Sequence, residues 1–201
     1  MPSVYQLKPA FQGLLRPLVR TCARAGITAN QITIAAMLLS VATGAALLAG
    51  TGPRTLLLLP AVLLLRMALN AMDGMLAREH GQSSALGMML NELGDVVSDA
   101  ALYLPLALRP AFDPVALVTL VVLAAMGEMA GVVAQAMGRA RRYDGPFGKS
   151  DRALLFGVLG LALGLGVPGG PWLEVVLWLA VLLAASTVVN RVRMALREDT
   201  R

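Results

Sequence analysis

Six apolar runs, at about 31–50, 55–76, 85–108, 114–137, 152–169 and 172–190, take up most of this 201-residue chain. A helix needs roughly 20 mostly apolar residues to cross the hydrocarbon core of a bilayer, and a chain in lipid must satisfy its backbone internally. Runs of this length therefore read as transmembrane helices packed side by side. Short joints with turn chemistry separate them: TGPR, EHGQSS, RPAFDP, RRYDGPFGKSD and GVPGGP. Only 14% of the residues are charged, against roughly 25% in a soluble domain. The expected fold is all-α: a polytopic membrane protein of six transmembrane helices forming one domain over residues 1–201. An interfacial segment at 1–28 precedes the bundle at 31–190, and a tail at 191–201 follows it. No internal repeat is visible.

The segment KPAFQGLLRPLVRTCARAG places Phe11, Leu14, Leu15, Leu18 and Val19 on one side and spreads Lys8, Arg16, Arg20 and Arg24 over the other. That pattern suits an amphipathic helix lying in the interface, kinked at Pro17. Met1–Arg24 is not expected to be a signal peptide, because it lacks a small-residue cleavage site. Cys22 is the single cysteine, so no intrachain disulfide forms. Six crossings put both termini on one side. With that side cytoplasmic, 14 of the 17 Lys and Arg residues fall there, in the N-terminal segment, around Arg78, between Arg139 and Arg152, and from Arg191 onward. This is the charge asymmetry that orients membrane proteins. It accounts for the net charge of +5 without a nucleic-acid partner, and it attracts anionic lipid.

Against that apolar background, Asp73, Glu92, Asp95, Asp99 and Glu128 all fall within predicted spans. An ionised side chain inside a bilayer costs at least ~2.5 kcal/mol, so such residues usually face a cavity or a partner. Their spacing is helical. Asn70 and Asp73 stand at i, i+3, and Gly87, Asn91, Asp95 and Asp99 run at i, i+4 down one stripe of the next span. Counting along the spans puts Asp73 and Asn91 near the cytoplasmic interface, Asp95 about one turn deeper and Asp99 deeper still. Two antiparallel neighbours can then point carboxylates and amides at each other. Hard oxygen donors in a partly dry pocket suit Mg²⁺ or Mn²⁺, and such ions suit phosphate substrates. Packing through small residues, with the acids paired to Arg66 or Arg78, is the plainer alternative.

These residues resemble the signature of the CDP-alcohol phosphatidyltransferase family, D-x-x-D-G-x-x-A-R-x8-G-x3-D-x3-D. The matching positions are Asn70, Asp73, Gly74, Ala77, Arg78, Gly87, Asn91 and Asp95, with every spacing kept and six of eight residues identical. The resemblance implies a transferase that moves a phosphatidyl group from CDP-diacylglycerol, or a similar CDP-linked lipid, to the hydroxyl of a small alcohol or phospho-alcohol, releasing CMP. It implies Asp73, Asp95, Asn70 and Asn91 at the metal positions, with one or two Mg²⁺ or Mn²⁺ ions. Asp73, Gly74, Ala77, Arg78 and Gly87 fall at the nucleotide positions, and Asp95 at that of the base. Lys149 and Arg152, three apart at the start of the fifth span, are acceptor-binding candidates, with Ser150 or Asp151 as the helix cap.

The departure lies at Asn70 and Asn91, where the family has aspartate. An amide oxygen can ligate a hard cation but brings no charge. Asp99 continues the Asn91–Asp95 stripe and is the better candidate to compensate; Glu92 lies about 100° round the helix. The competing reading is a non-catalytic lipid- or nucleotide-binding relative that has lost two ligands. A small proton-coupled transporter is disfavoured by the lack of a repeat and by acids near one interface rather than the midplane. The expected location is a bacterial inner membrane with both termini and the site cytoplasmic. The acceptor, the roles of Glu128 and Arg66, and a homodimer are left open.

Overall fold

A computed structural model describes residues 8–197. Those residues fold into α1 (Lys8–Arg24), α2 (Ala29–Ala49), α3 (Leu58–Glu79), α4 (Ala85–Tyr103), α5 (Pro114–Ala136), α6 (Lys149–Gly164) and α7 (Pro171–Arg197). Short 3₁₀ turns at Pro53–Leu57 and Leu104–Leu108 lead into α3 and out of α4. Each predicted span overlaps one of these helices, from α2 to α7. The ends of the expected interfacial segment and tail, residues 1–7 and 198–201, lie outside the described residues.

Local chemistry sets the ends. Thr28 caps α2 in a reciprocal box: its hydroxyl accepts from the Gln31 amide at 3.2 Å, and the Gln31 side chain accepts from the Thr28 amide at 2.9 Å. The Ser84 hydroxyl accepts from the Gly87 amide and starts α4. Asp113 caps α5 just before Pro114, and Asp151 accepts from the Gly148 amide to open α6. Gly148 holds the cap position, and Asp151 at the third helical position, not Ser150, supplies the side-chain contact to it. Pro105 has no amide to donate and disfavours helix at the residue before it, which is why the third predicted span tightens into 3₁₀ after Tyr103.

Four stretches are long and apolar enough to cross a membrane: Ala29–Ala49, Pro53–Glu79, Pro114–Ala136 and Pro171–Arg197. The two other expected spans are less apolar or shorter. α4 carries Glu92, Asp95 and Asp99, and α6 has 16 residues. Leu38, Leu48, Leu64, Val122, Leu179 and Leu182 stand exposed along the outer faces of the four apolar stretches. Apolar exposure on this scale is a liability in water and is the normal outer face of an integral membrane protein.

Inside, α2 packs on both α3 and α4, while α3 and α4 touch each other less than either touches α2. The expected direct pairing of the two signature helices is therefore mediated by α2. A second seam joins α5 to α7, and α6 packs on α3. Leu59, Tyr103, Leu106, Phe156, Leu117 and Leu177 fill the centre, with the Tyr103 and Phe156 rings stacked at 4.1 Å. α1 lies on α3, and this divides its apolar residues. Leu15 and Val19 are buried against Met72, Met75 and Leu76, while Leu14 and Leu18 stay exposed. The helix is thus apolar on two fronts, one toward the bundle and one outward. α7 runs unbroken to Arg197, and Arg191 is buried in the bundle. The tail expected from residue 191 is instead a continuation of the helix.

The close approach of α2 and α4 depends on Gly44, where a Cβ would stand 2.2 Å from the Ala101 carbonyl oxygen. Alanine would favour the helix by ~1 kcal/mol, but the overlap is with backbone and forces the helices apart. At the upper end of the overpacking range, Gly44→Ala should lose about 2 kcal/mol net. Thermal unfolding in detergent should show a lower midpoint; an unchanged midpoint would show that this seam is loose.

Candidate active site

The polar residues gather where α2, α3, α4 and α6 meet. Asp73 on α3 is buried and accepts a hydrogen bond from the Thr33 hydroxyl of α2 at 2.7 Å. The Thr33 methyl lies 3.9 Å from where a Cβ on Gly94 of α4 would stand. One turn earlier, Asn30 packs so closely on Gly87 that a Cβ there would come within 2.7 Å of its amide oxygen. The first turns of α2 thus hold the Asp73 and Asp95 segments on either side. Asn30 and Thr33, in the first turns of α2, are the spacers that set this geometry.

Asp95 is partly accessible, at 16% of its side-chain surface, and is contacted by the Lys149 ammonium from the first turn of α6. The Arg66 guanidinium reaches its carboxylate at 3.5 Å and its main-chain oxygen at 3.3 Å. The Asn70 amide nitrogen is buried with no hydrogen-bond partner. Asn91 is half-buried on the same stripe of α4 as Asp95. The guanidinium of Arg78 folds back over Gly74, 3.1 Å from where a Cβ would be. Gly74 gives Arg78 room, and Arg78 and Ala77 sit at the open end of α3.

Deeper in, the remaining acids are tied to arginines. Asp99 receives Arg66 at 2.6 Å and Arg152 at 2.9 Å. Glu128 on α5 receives Arg141 at 3.1 Å, Arg152 at 3.3 Å and Arg191 at 3.4 Å. Arg191 also donates to the Gly127 carbonyl at 2.6 Å. Glu92 contacts Arg141. Burial lowers the Arg141 guanidinium from its ordinary range, and the like charge of Arg191 adds to that; a guanidinium nevertheless stays charged in a protein. Charge counting reads Arg141 and Arg191 as topology charges, and neither the loop position of Arg141 nor the position of Arg191 after the last apolar run signals an inward aim. Glu128 offered the only signal, as a buried acid in need of a cation. Asp99 is read as a structural anion, because both its oxygens are engaged, which leaves it poorly placed to replace a missing ligand.

A family model for CDP-alcohol phosphatidyltransferases matches residues 26–198. The chain belongs to that family. It is a membrane-embedded CDP-alcohol phosphatidyltransferase of phospholipid biosynthesis. It is 45% identical over 194 residues, 96% of each chain, to the inner membrane protein YnbA of Escherichia coli. It is 32% identical to the phosphatidylinositol phosphate synthase of Corynebacterium glutamicum, covering 97% of this chain and 89% of that one. Among solved structures, the Mycobacterium tuberculosis phosphatidylinositol phosphate synthase with CDP-DAG bound superposes with a TM-score of 0.74 at 26% identity. That superposition covers 89% of this chain and 92% of the other. The same synthase in complex with manganese and citrate gives the same score, with coverage of 89% and 87%.

The donors at the signature positions test whether a metal centre fits. Two carboxylates, Asp73 and Asp95, and two amide oxygens, from Asn70 and Asn91, form an all-oxygen set of the kind hard divalent ions take. Among the described residues, however, no three acidic, histidine or cysteine side chains cluster where they could hold an ion. Two negative charges fit one divalent cation and fall short for two.

Losing a partner from the deep ion cluster should be costly, because it strands buried charge. Arg152→Met, which strips a cation from both Asp99 and Glu128, should destabilise the protein by about 3–5 kcal/mol. Arg78→Met, at an exposed site, should stay within ~0.5 kcal/mol. Chemical or thermal unfolding in detergent distinguishes the two; equal losses would remove the cluster from its structural role.

Proposed function

We propose that the protein transfers the phosphatidyl group of CDP-diacylglycerol to a small alcohol or phospho-alcohol and releases CMP, at the cytoplasmic face of a bacterial inner membrane. The observation that supports this most is the contact of both signature segments with Thr33 of α2, whose hydroxyl donates to Asp73 at 2.7 Å and whose methyl faces Gly94, the neighbour of Asp95. A carboxylate with a partly open face, on the stripe that the family uses for its base, suits Asp95 to take the hydroxyl proton. The acceptor oxygen then bonds to the β-phosphorus, the bond to CMP breaks, and CMP leaves with its electron pair. A Mg²⁺ or Mn²⁺ ion on Asp73 and Asp95, assisted by Asn70 and Asn91, would neutralise the diphosphate.

Gly74, Ala77, Arg78 and Gly87 are proposed to line the CDP site. Arg78 can swing off Gly74 onto a phosphate, and Gly87 lets Asn30 of α2 approach the first turn of α4 closely. On the acceptor side, Arg152 is committed to Asp99 and Glu128 and makes a fixed positive wall. Lys149, about one turn earlier on α6, contacts Asp95. The apolar outer faces of α2 and α3 leave the acyl chains in lipid while the diphosphate reaches the polar pocket. The exposed Leu14 and Leu18 of α1, with Arg16, Arg20 and Arg24 nearby, suit the interfacial position read from sequence. α4 and α6 complete six crossings, shielded by their packing on α2 and α3.

A second reading, a relative that binds CDP-lipid without turnover, has one specific observation behind it: the lack of a three-acid cluster among the described residues. Incubating the purified protein with CDP-diacylglycerol, Mg²⁺ or Mn²⁺ and a panel of alcohols separates the two readings. Transfer predicts CMP and a new phospholipid by mass spectrometry; binding with no CMP from any alcohol would establish the second reading.

Asp95→Asn should cut CMP release by about 10²–10⁴-fold while the protein stays folded. Wild-type turnover in that variant would remove Asp95 from the chemistry. For topology, Ser150→Cys in a Cys22→Ser background should label from the cytoplasmic side and Gly52→Cys from the opposite side. Both positions are exposed. Labelling of both from one side would overturn the six crossings.

A further inference from the structure

The charge inventory of the site is unlike that of a four-aspartate centre, and the deficit falls beside a lysine. Asn70 and Asn91 remove two negative charges, and the nearest other acids are already spent. Asp99 is held by Arg66 and Arg152, and Glu92 and Glu128 are held by Arg141. A second divalent ion would have to settle with no further carboxylate. It would sit beside the Lys149 ammonium on Asp95 and within reach of the Arg66 guanidinium, 3.5 Å from the same carboxylate. Like charges gathered on one carboxylate repel strongly in a partly desolvated pocket.

We infer that Lys149 replaces one of two divalent ions, so that a single ion and the Lys149 ammonium together neutralise the donor's diphosphate. This rests on the transferase reading above. Lys149 is well placed for the task. It leaves the first turn of α6, whose start is fixed by Asp151 on the Gly148 amide. Its side chain keeps 29% of its surface accessible, so an incoming phosphate can reach it. A lysine ammonium is a compact charge on a flexible four-carbon stem and binds phosphate as a point charge. It can therefore move from the Asp95 carboxylate to a phosphate oxygen without moving the helix.

The test counts ions and measures nucleotide affinity. Wild-type protein in lipid nanodiscs is titrated with Mn²⁺ in the presence of CDP, with bound Mn²⁺ read by electron paramagnetic resonance and CDP affinity by calorimetry. One Mn²⁺ per chain is expected. Lys149→Gln should weaken CDP binding about 10- to 100-fold at saturating Mn²⁺, the loss of one charge-assisted contact. Lys149→Arg should restore most of it. The triple variant Asn70→Asp, Asn91→Asp, Lys149→Gln should take up two Mn²⁺. Two Mn²⁺ or none per wild-type chain, or unchanged CDP affinity in Lys149→Gln, would overturn the inference. The wild-type count needs no variant to fold. Failure to release CMP from CDP-diacylglycerol would instead count against the transferase reading and would leave the ion count standing.

Discussion

The buried ion cluster of Arg66, Asp99, Arg152 and Glu128 is the constraint on which the site depends. It joins α3, α4, α5 and α6 at one level, through contacts of 2.6–3.3 Å. In a bilayer each of these charges alone would be expensive. Together they form a polar floor, and removing one leaves its partners without compensation. Arg66 is the link between floor and pocket, because the guanidinium that holds Asp99 also reaches Asp95. The orientation of Asp95 therefore follows from packing two turns below the pocket mouth.

Above that floor, electrostatics decides what the pocket can hold. Anions at the metal positions number two, and cations from Lys149 and Arg66 already face one of them. A diphosphate entering the pocket meets positive charge that is built into the chain as well as any brought by a bound ion. Fixed side-chain charge needs no loading, but it cannot match the short, multidentate grip of a divalent ion on adjacent phosphate oxygens. The expected consequence is a site whose nucleotide affinity depends less steeply on metal concentration than a four-aspartate centre would.

Much of this was legible before any coordinates. The apolar runs placed the helices, and the i, i+3 and i, i+4 spacing put Asn70 with Asp73 and Asn91 with Asp95. Helical periodicity is local, so it survives translation into structure with end shifts of a few residues, as at Pro105. What could not be read was the partner of each charge. Arg191 sits at a position that charge counting assigns to a tail, yet it is buried against Glu128 because α7 does not stop at residue 190. Asp99 looked like a spare ligand because it shares a stripe with Asp95; its engagement by Arg66 and Arg152 depends on helices far away in sequence. The interposition of α2 between α3 and α4 likewise follows from Gly44 and Gly87, whose roles are visible only once the helices are packed. Long-range pairing of side chains carries no period, and that is where sequence reasoning stopped.

How the diphosphate is held decides the chemistry of this site. The most direct measurement is an experimental structure with CDP-diacylglycerol and Mn²⁺, with the metal located by its anomalous scattering. A single peak between Asp73 and Asp95, with the Lys149 ammonium against the diphosphate, is the predicted result. Two peaks ligated through Asn70 and Asn91, with Lys149 turned away, would contradict it.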